Sequence, residues 1–257
     1  MTGNLVLEIN RLFRDKYQGR WKPEFIKDAL RLKKGEPTAY VIGWQPFLNC
    51  KIDLSLRSFI PEPETEYWTE KAIGEMKKSH RSLGEGGQAK IKVADVFSGS
   101  GCIGIAALSS IKNAKVDFFE IDKKAARQIR INLRINRISP SRCHIFQGDA
   151  SCKLKSLYDF ILANPPYLAL NRRRKIQAAV LKYEPAKALF GGKDGLLYIR
   201  KFLRLARRHL KKEGQIWMEF DSWQKKEIEK LLKKFGYRRW QFFRDQYGHW
   251  RYVQIFY

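Results

Sequence analysis

Val93-Ala94-Asp95-Val96-Phe97-Ser98-Gly99-Ser100-Gly101-Cys102-Ile103-Gly104 carries one apolar run into a Gly-x-Gly turn and out into another. The spacing predicts a strand over 91–97, a tight turn, and a helix over 102–111. In an open α/β sheet, ligands sit beside such a turn at the carboxyl ends of the strands. Glycine there lets a ligand approach the backbone, although a Gly-x-Gly bend also serves plain packing. Downstream, strands are predicted over 116–121, 144–147, 158–163, 215–220, 238–243 and 250–256, and helices over 125–135, 196–210 and 224–235. This alternation implies an α/β fold, a doubly wound and mostly parallel seven-stranded sheet with helices on both faces. The two last strands suggest an antiparallel hairpin at one edge.

Upstream, residues 5–13 and 25–32 have helical spacing, with Pro23 placed as a first-turn proline. Gly35-Glu36-Pro37 breaks the pattern, and the loose alternation over 40–60 predicts a β-hairpin that Pro61 and Pro63 stop. A helix follows over 65–77. The chain thus divides into a short helical segment with hairpin and linker helix (1–78), a glycine-containing loop or hinge (79–90) and the main α/β domain (91–257).

The 257 residues are 44% hydrophobic, enough for a substantial core, and they carry 51 Lys+Arg against 26 Asp+Glu, a net charge of +25. Such an excess favours a polyanionic neighbour, nucleic acid or ribosome, or is simply a solvated basic surface. Four cysteines (Cys50, Cys102, Cys143, Cys152) without a CxxC pair exclude a disulfide scaffold and a zinc ribbon, and four scattered histidines argue against a metal site. With no apolar run near bilayer length and no secretory signal, a monomeric cytoplasmic protein without membrane attachment is expected.

Phe118-Phe119-Glu120-Ile121-Asp122 ends the second strand in acid. A carboxylate there can accept two ribose hydroxyls. Glu120 is the first choice and Asp122 the second, the latter also being suited to cap the next helix. Gly99 to Gly104 satisfies GxGxxG literally, but Asp95, four residues before the turn, would repel a pyrophosphate and welcome an ammonium group. S-adenosylmethionine carries an ammonium, a sulfonium and a ribose but no phosphate, so the charges favour it over NAD. Asp149, after the third strand, is placed to accept from an adenine amino group.

Asp159-Phe160-Ile161-Leu162-Ala163-Asn164-Pro165-Pro166-Tyr167 is the strongest signal. Prolines remove donors and stiffen the chain, leaving the Pro165 carbonyl fixed and unpaired. The Asn164 side-chain oxygen is a second acceptor. Two acceptors aimed at one planar NH2 hold it, and Tyr167 can stack on the flat group. The arrangement suits a poorly nucleophilic, conjugated nitrogen oriented towards a methyl donor.

Asn164 to Tyr167 resembles the NPPY signature of class I methyltransferases, and the wider pattern resembles the release-factor glutamine N5-methyltransferases, the HemK/PrmC family. Gly35-Glu36-Pro37 with Tyr40, Gly43 and Phe47 is similar to its upstream segment, and Ile60 to Glu66 to its IPRPETE motif. Tyr183-Glu184-Pro185, Ala188-Leu189 and Gly191 to Leu196 are similar to its EP..AL..G.DGL stretch, and Glu219 and Gln224 to its late E…Q pattern. The resemblance runs from about Arg31 to the C-terminus. It implies a Rossmann-like fold and S-adenosylmethionine as cofactor, with S-adenosylhomocysteine as product. It implies cofactor contacts at Gly99, Gly101, Glu120 and Asp149, and a substrate amide held by Asn164, Pro165, Pro166 and Tyr167. Thr65 and Glu66 would lie near the methionine end. The implied substrate is the Gly-Gly-Gln glutamine of class I release factors. Three features depart from the pattern: Phe97 replaces the usual first glycine, Glu62 replaces the arginine of IPRPETE, and the part before Gly35 is short.

Two alternatives compete. An adenine-N6 methyltransferase on DNA or RNA shares NPPY and would use Arg172-Arg173-Arg174-Lys175, whereas the PETE and EP..AL..G.DGL blocks favour the glutamine reading. A basic RNA- or ribosome-binding protein with a decayed methyltransferase fold would explain Phe97 and Glu62, but intact Gly99, Glu120 and Asn164 to Tyr167 argue against decay.

Overall fold

A computed structural model describes residues 2–82, 90–148, 154, 156–175 and 178–257. Near the N-terminus, Leu5, Ile9, Leu12 and Phe13 line one face of α1 (Thr2–Asp15). They pack with Phe25 and Leu32 of α2 (Glu24–Lys33) and with Val41 and Ile42 of α3 (Thr38–Ile42). The expected hairpin over 40–60 is therefore shorter than the alternation implied. Residues 38–42 form a helical turn, buried from Ala39 on, which Gly43 ends at φ +94°. Only β1 (Trp44–Phe47) and β2 (Cys50–Asp53) make the antiparallel pair.

Three amides on α6 (Lys123–Ile135) and at its C-cap stitch this hairpin to the larger domain. Gln128 accepts from the Leu56 N–H at 2.8 Å, Asn132 from Asp53 at 2.8 Å and Asn136 from Lys51 at 3.0 Å. Their i, i+4, i+8 spacing puts them on one helix face. Asn132 also donates to the Ser100 carbonyl at 2.9 Å, so the same residue braces the glycine turn.

The linker helix α4 runs Pro63–Ser82. It takes in residues 79–82 of the stretch read as a loop, because Lys77 to Ser82 contains no glycine or proline to stop a helix. Residues 83–89 of that stretch lie outside the described residues. The main sheet comprises β3 (Ile91–Val96), β4 (Ala114–Glu120), β5 (Cys143–Gln147), β6 (Tyr158–Ala163), β7 (Leu210–Glu219), β8 (Arg239–Arg244) and β9 (Trp250–Phe256), in the order β5-β4-β3-β6-β7-β9-β8. Parallel pairing holds from β5 to β7, and β9 is antiparallel to both β7 and β8. The late hairpin is thus present, with its second strand inserted between β7 and β8. The helix expected to 210 ends earlier, as α9 (Leu197–Ala206), and Leu210 already opens β7.

Alternation along β3 explains the layering. Ile91 and Val93 join the core shared with the hairpin, α4 and α5 (Cys102–Ser110), while Ala94 and Val96 join the core under α9 and α10 (Lys225–Lys234). Short helices α7 (Ala178–Tyr183) and α8 (Ala186–Leu189) follow the central strand β6. Strand order reverses between β3 and β6, and the crevice at their carboxyl ends is the switch point where α/β sheets bind ligands. No described helix is long and apolar enough to cross a membrane.

Candidate active site

Two loops meet at that switch point. Val96 ends β3 opposite Ala163 of β6, so the glycine turn and Asn164-Pro165-Pro166-Tyr167 leave adjacent strands side by side. The turn uses left-handed backbone at Phe97 (φ +62°), Gly99 (φ +55°) and Gly101 (φ +81°). A Cβ on Gly99 would meet only the Phe59 Cβ, at 4.0 Å, so the space above Gly99 is open. One on Gly101 would press on Ile129 at 3.1 Å. Gly99 therefore shapes a cradle and Gly101 serves helix packing.

Glu120 braces this turn from the end of β4. Its Oε2 accepts from the Gly99 N–H and its Oε1 from the Asp122 N–H, both at 2.7 Å. Burial raises its pKa against the opposing pull of those backbone donors. Asp122 is the N-cap of α6, accepting from Lys124 and Ala125, the capping role the sequence offered it. Asp95 is fully enclosed beneath the turn. Its Oδ2 accepts from the Gly104 N–H at 2.9 Å, its Oδ1 has no partner among the described residues, and burial pushes its pKa up to about 7. Asp149 lies outside the described residues.

On the β6 side, Asn164 Nδ2 stands 3.1 Å from Thr65 Oγ1. Among the described residues nothing donates to the Pro165 carbonyl. The Thr65 hydroxyl donates to Glu219 Oε2 at 2.6 Å, the Trp68 indole to the same oxygen at 2.7 Å, and the Tyr167 hydroxyl to Oε1 at 2.9 Å. Glu219 is fully buried at the end of β7. Burial raises its pKa, while its donors and the Arg251 charge favour the ionised form. Glu66 takes no part in this network, its carboxylate accepting instead from the Leu48 N–H in the hairpin turn.

The Tyr167 loop is clamped from behind. The Gln224 amide donates to the Tyr167 carbonyl at 3.0 Å and the Gly195 carbonyl at 3.2 Å. A Cβ on Gly191 would lie 2.3 Å from the Pro166 carbonyl oxygen, and one on Gly195 2.2 Å from that of Tyr167. Only glycine lets these backbones approach so closely. Glu62, at the position of the family's arginine, lies in the field of Glu219, Glu64 and Glu184. Burial first, and then those charges, push its pKa up to about 8 against Arg251, and burial pushes Glu184 to about 7. Among the described residues no group of His, Cys, Asp and Glu is arranged to hold a metal.

Glu219, Gln224, Gly191 and Gly195 are visible in the sequence only as parts of quoted motifs, without a role. Trp68 and Arg251 carry no local signal at all.

The chain matches the family described as "Methyltransferase small domain" over residues 81–192. It is 32% identical to the release factor glutamine methyltransferase of Flavobacterium psychrophilum, over 88% of this chain and 77% of that protein. It is 35% identical to the same-named protein of Thermodesulfovibrio yellowstonii, over 80% and 71%. A methyltransferase from Pyrococcus furiosus superposes with a TM-score of 0.59 at 18% identity, covering 90% of this chain and 97% of that one, a likeness of fold. With the switch-point crevice, the glycine turn and the NPPY loop, these identities place the chain: it belongs to the release factor glutamine methyltransferase family.

Proposed function

We propose that this protein methylates the side-chain amide nitrogen of a glutamine, that of the Gly-Gly-Gln motif in class I peptide chain release factors. S-adenosylmethionine supplies the methyl group. The observation that carries this reading is the pair of acceptors at the end of β6. The Asn164 side chain is anchored through its NH2 to Thr65, and among the described residues nothing donates to the Pro165 carbonyl. Both oxygens are free to take the two N–H bonds of one planar amide, holding its nitrogen in register and enriching it. Tyr167 is fixed by Glu219 and Gln224, so its ring is held as a wall for the flat amide.

The residues around the turn suit the cofactor. Gly99 leaves open space, and Glu120 keeps lone pairs for ribose hydroxyls while it holds the turn. Asp95 is enclosed beneath the turn, so its carboxyl would favour the ammonium end and resist a pyrophosphate through its charge and not by direct contact. Gly101 supports the turn, and Asp149 remains the candidate for the adenine amino group.

Single-turnover transfer from labelled S-adenosylmethionine to a release factor, to DNA and to RNA tests the proposal. Label should enter the release-factor glutamine. Asn164→Ala and Asn164→Asp should each lose about 10²-fold or more, as when one preorganised polar contact is removed at a reacting centre, while still binding the cofactor. Tyr167→Phe should be milder. Label entering only nucleic acid, or near-normal turnover by Asn164→Ala, would overturn the reading.

A further inference from the structure

We infer that Thr65 and Glu219 are positioning residues whose hydrogen-bond polarity sets which atom of the Asn164 amide faces the substrate. The inference rests on the glutamine reading for its catalytic meaning, but its geometry does not. An amide's oxygen and nitrogen are distinguished by the network around them, not by shape, and here the network leaves one assignment.

The chain of constraints starts at Trp68. An indole N–H can only donate, so Glu219 Oε2, 2.7 Å away, accepts. Thr65 Oγ1 reaches the same oxygen at 2.6 Å. Burial raises the Glu219 pKa, but the carboxyl takes the Trp68 indole on one oxygen and the Tyr167 hydroxyl on the other, and these donors, with the Arg251 charge, oppose that shift and favour a carboxylate that accepts only. The single Thr65 hydroxyl proton therefore points at Glu219. Its remaining lone pairs can only accept, so the Asn164 atom 3.1 Å away must be the NH2. Asn164 Oδ1, unpartnered among the described residues, is left as the free acceptor. The reverse amide would set an oxygen against the lone pairs of Thr65 and turn a donor towards the substrate NH2, donor against donor. Glu219 also takes the Tyr167 hydroxyl, so one buried carboxylate orients both the acceptor and the wall of the pocket.

Three substitutions separate this role from packing. Thr65→Val keeps the shape and removes the hydroxyl, so the amide is free to turn. Thr65→Ser restores the hydroxyl without the methyl. The single-turnover rate of Thr65→Val should fall about 30- to 100-fold, approaching the loss of a preorganised donor or acceptor, with S-adenosylmethionine affinity near wild type. Thr65→Ser should recover to within about threefold, because the polarity survives. In a double-mutant cycle, Asn164→Asp should cost less on the Thr65→Val background, since its added oxygen no longer faces the hydroxyl lone pair. A Thr65→Ser variant as slow as Thr65→Val, or an additive cycle, would overturn the inference. Neutron diffraction on the deuterated wild-type protein reads the same point without any substrate. It should show deuterium on Thr65 Oγ1 pointing to Glu219, and the two Asn164 deuterons on the Thr65 side. An amide oxygen facing Thr65 would overturn the inference even if glutamine is methylated. A wild-type enzyme that ignores glutamine would overturn the functional reading alone.

Discussion

Replacing Glu120 by glutamine tests the cofactor half of the site with little change of shape. The wild-type carboxylate takes the Gly99 N–H on one oxygen and the Asp122 N–H on the other, each at 2.7 Å. Each oxygen keeps a second lone pair, so two ribose hydroxyls can be accepted while the turn stays held. Glutamine keeps the length and one oxygen. Its NH2 must replace the other, set against a backbone N–H, and one acceptor is lost to the ribose. Hydrogen bonds to charged groups contribute about 1.5–3 kcal/mol each. Losing one should raise the dissociation constant for S-adenosylmethionine about 10- to 150-fold. The backbone donor left unpaired should lower stability by about 1–3 kcal/mol. Calorimetry reads the first loss and thermal unfolding without ligand reads the second. Because burial raises the Glu120 pKa, wild-type affinity should also weaken as the pH is lowered and its acceptors are protonated, a trend the glutamine variant should lack. A variant that melts earlier yet binds with wild-type affinity would show that Glu120 only braces the turn.

Three further outcomes are expected. Asp95 has its pKa raised to about 7, so the stability it contributes is complete below its unfolded value of 3.8 and is lost as the pH rises towards 7. Asp95→Asn should remove that slope of about 1.4 kcal/mol per pH unit, and a wild-type-minus-variant difference that is flat from pH 4 to 7 would refute it. Gly195→Ala places a Cβ 2.2 Å from the Tyr167 carbonyl in left-handed backbone. It should cost about 1–3 kcal/mol of overpacking and impair transfer more than cofactor binding, and equal loss of both would show that the clamp does not act on the NPPY loop. Arg172, whose guanidinium lies 4.8 Å from the Trp223 ring centre, opens the basic run 172–175 that follows the NPPY loop in the sequence. Neutralising that run should slow substrate association more at low salt than at high salt, whereas a salt-independent effect would make it a solvated face.

The legible parts of the molecule are local. Seven strands can be read because each is an apolar run between turn residues, and Asn164-Pro165 can be read because its chemistry is written in consecutive positions. The Glu219 hub cannot be read in this way. Its partners Thr65, Trp68 and Tyr167 lie 154, 151 and 52 positions away, so no local pattern brings them together. For the same reason the placing of β9 between β7 and β8 is decided by non-local pairing that no turn signal encodes.

Phe97 shows where a departure from the family pattern misleads. A missing first glycine suggests an altered turn, yet Phe97 adopts φ +62°, the left-handed region a glycine enters freely. That conformation costs a non-glycine residue about 1–2 kcal/mol. The ring offsets it by packing edge-on against Tyr198 and Phe202, each with its ring centre 6.1 Å away. Those partners belong to the α9 side of the sheet, while the open space of the turn lies over Gly99, towards Phe59. The substitution therefore changes what supports the turn from behind and leaves the cradle in front of it open. Glu62 is the opposite case. A carboxyl with its pKa pushed up to about 8 stands in the field of Glu219 where the family pattern has an arginine. That difference acts on the carboxylate that holds Thr65 and Tyr167, so any divergence in substrate preference is to be sought at Glu62 rather than at the glycine turn.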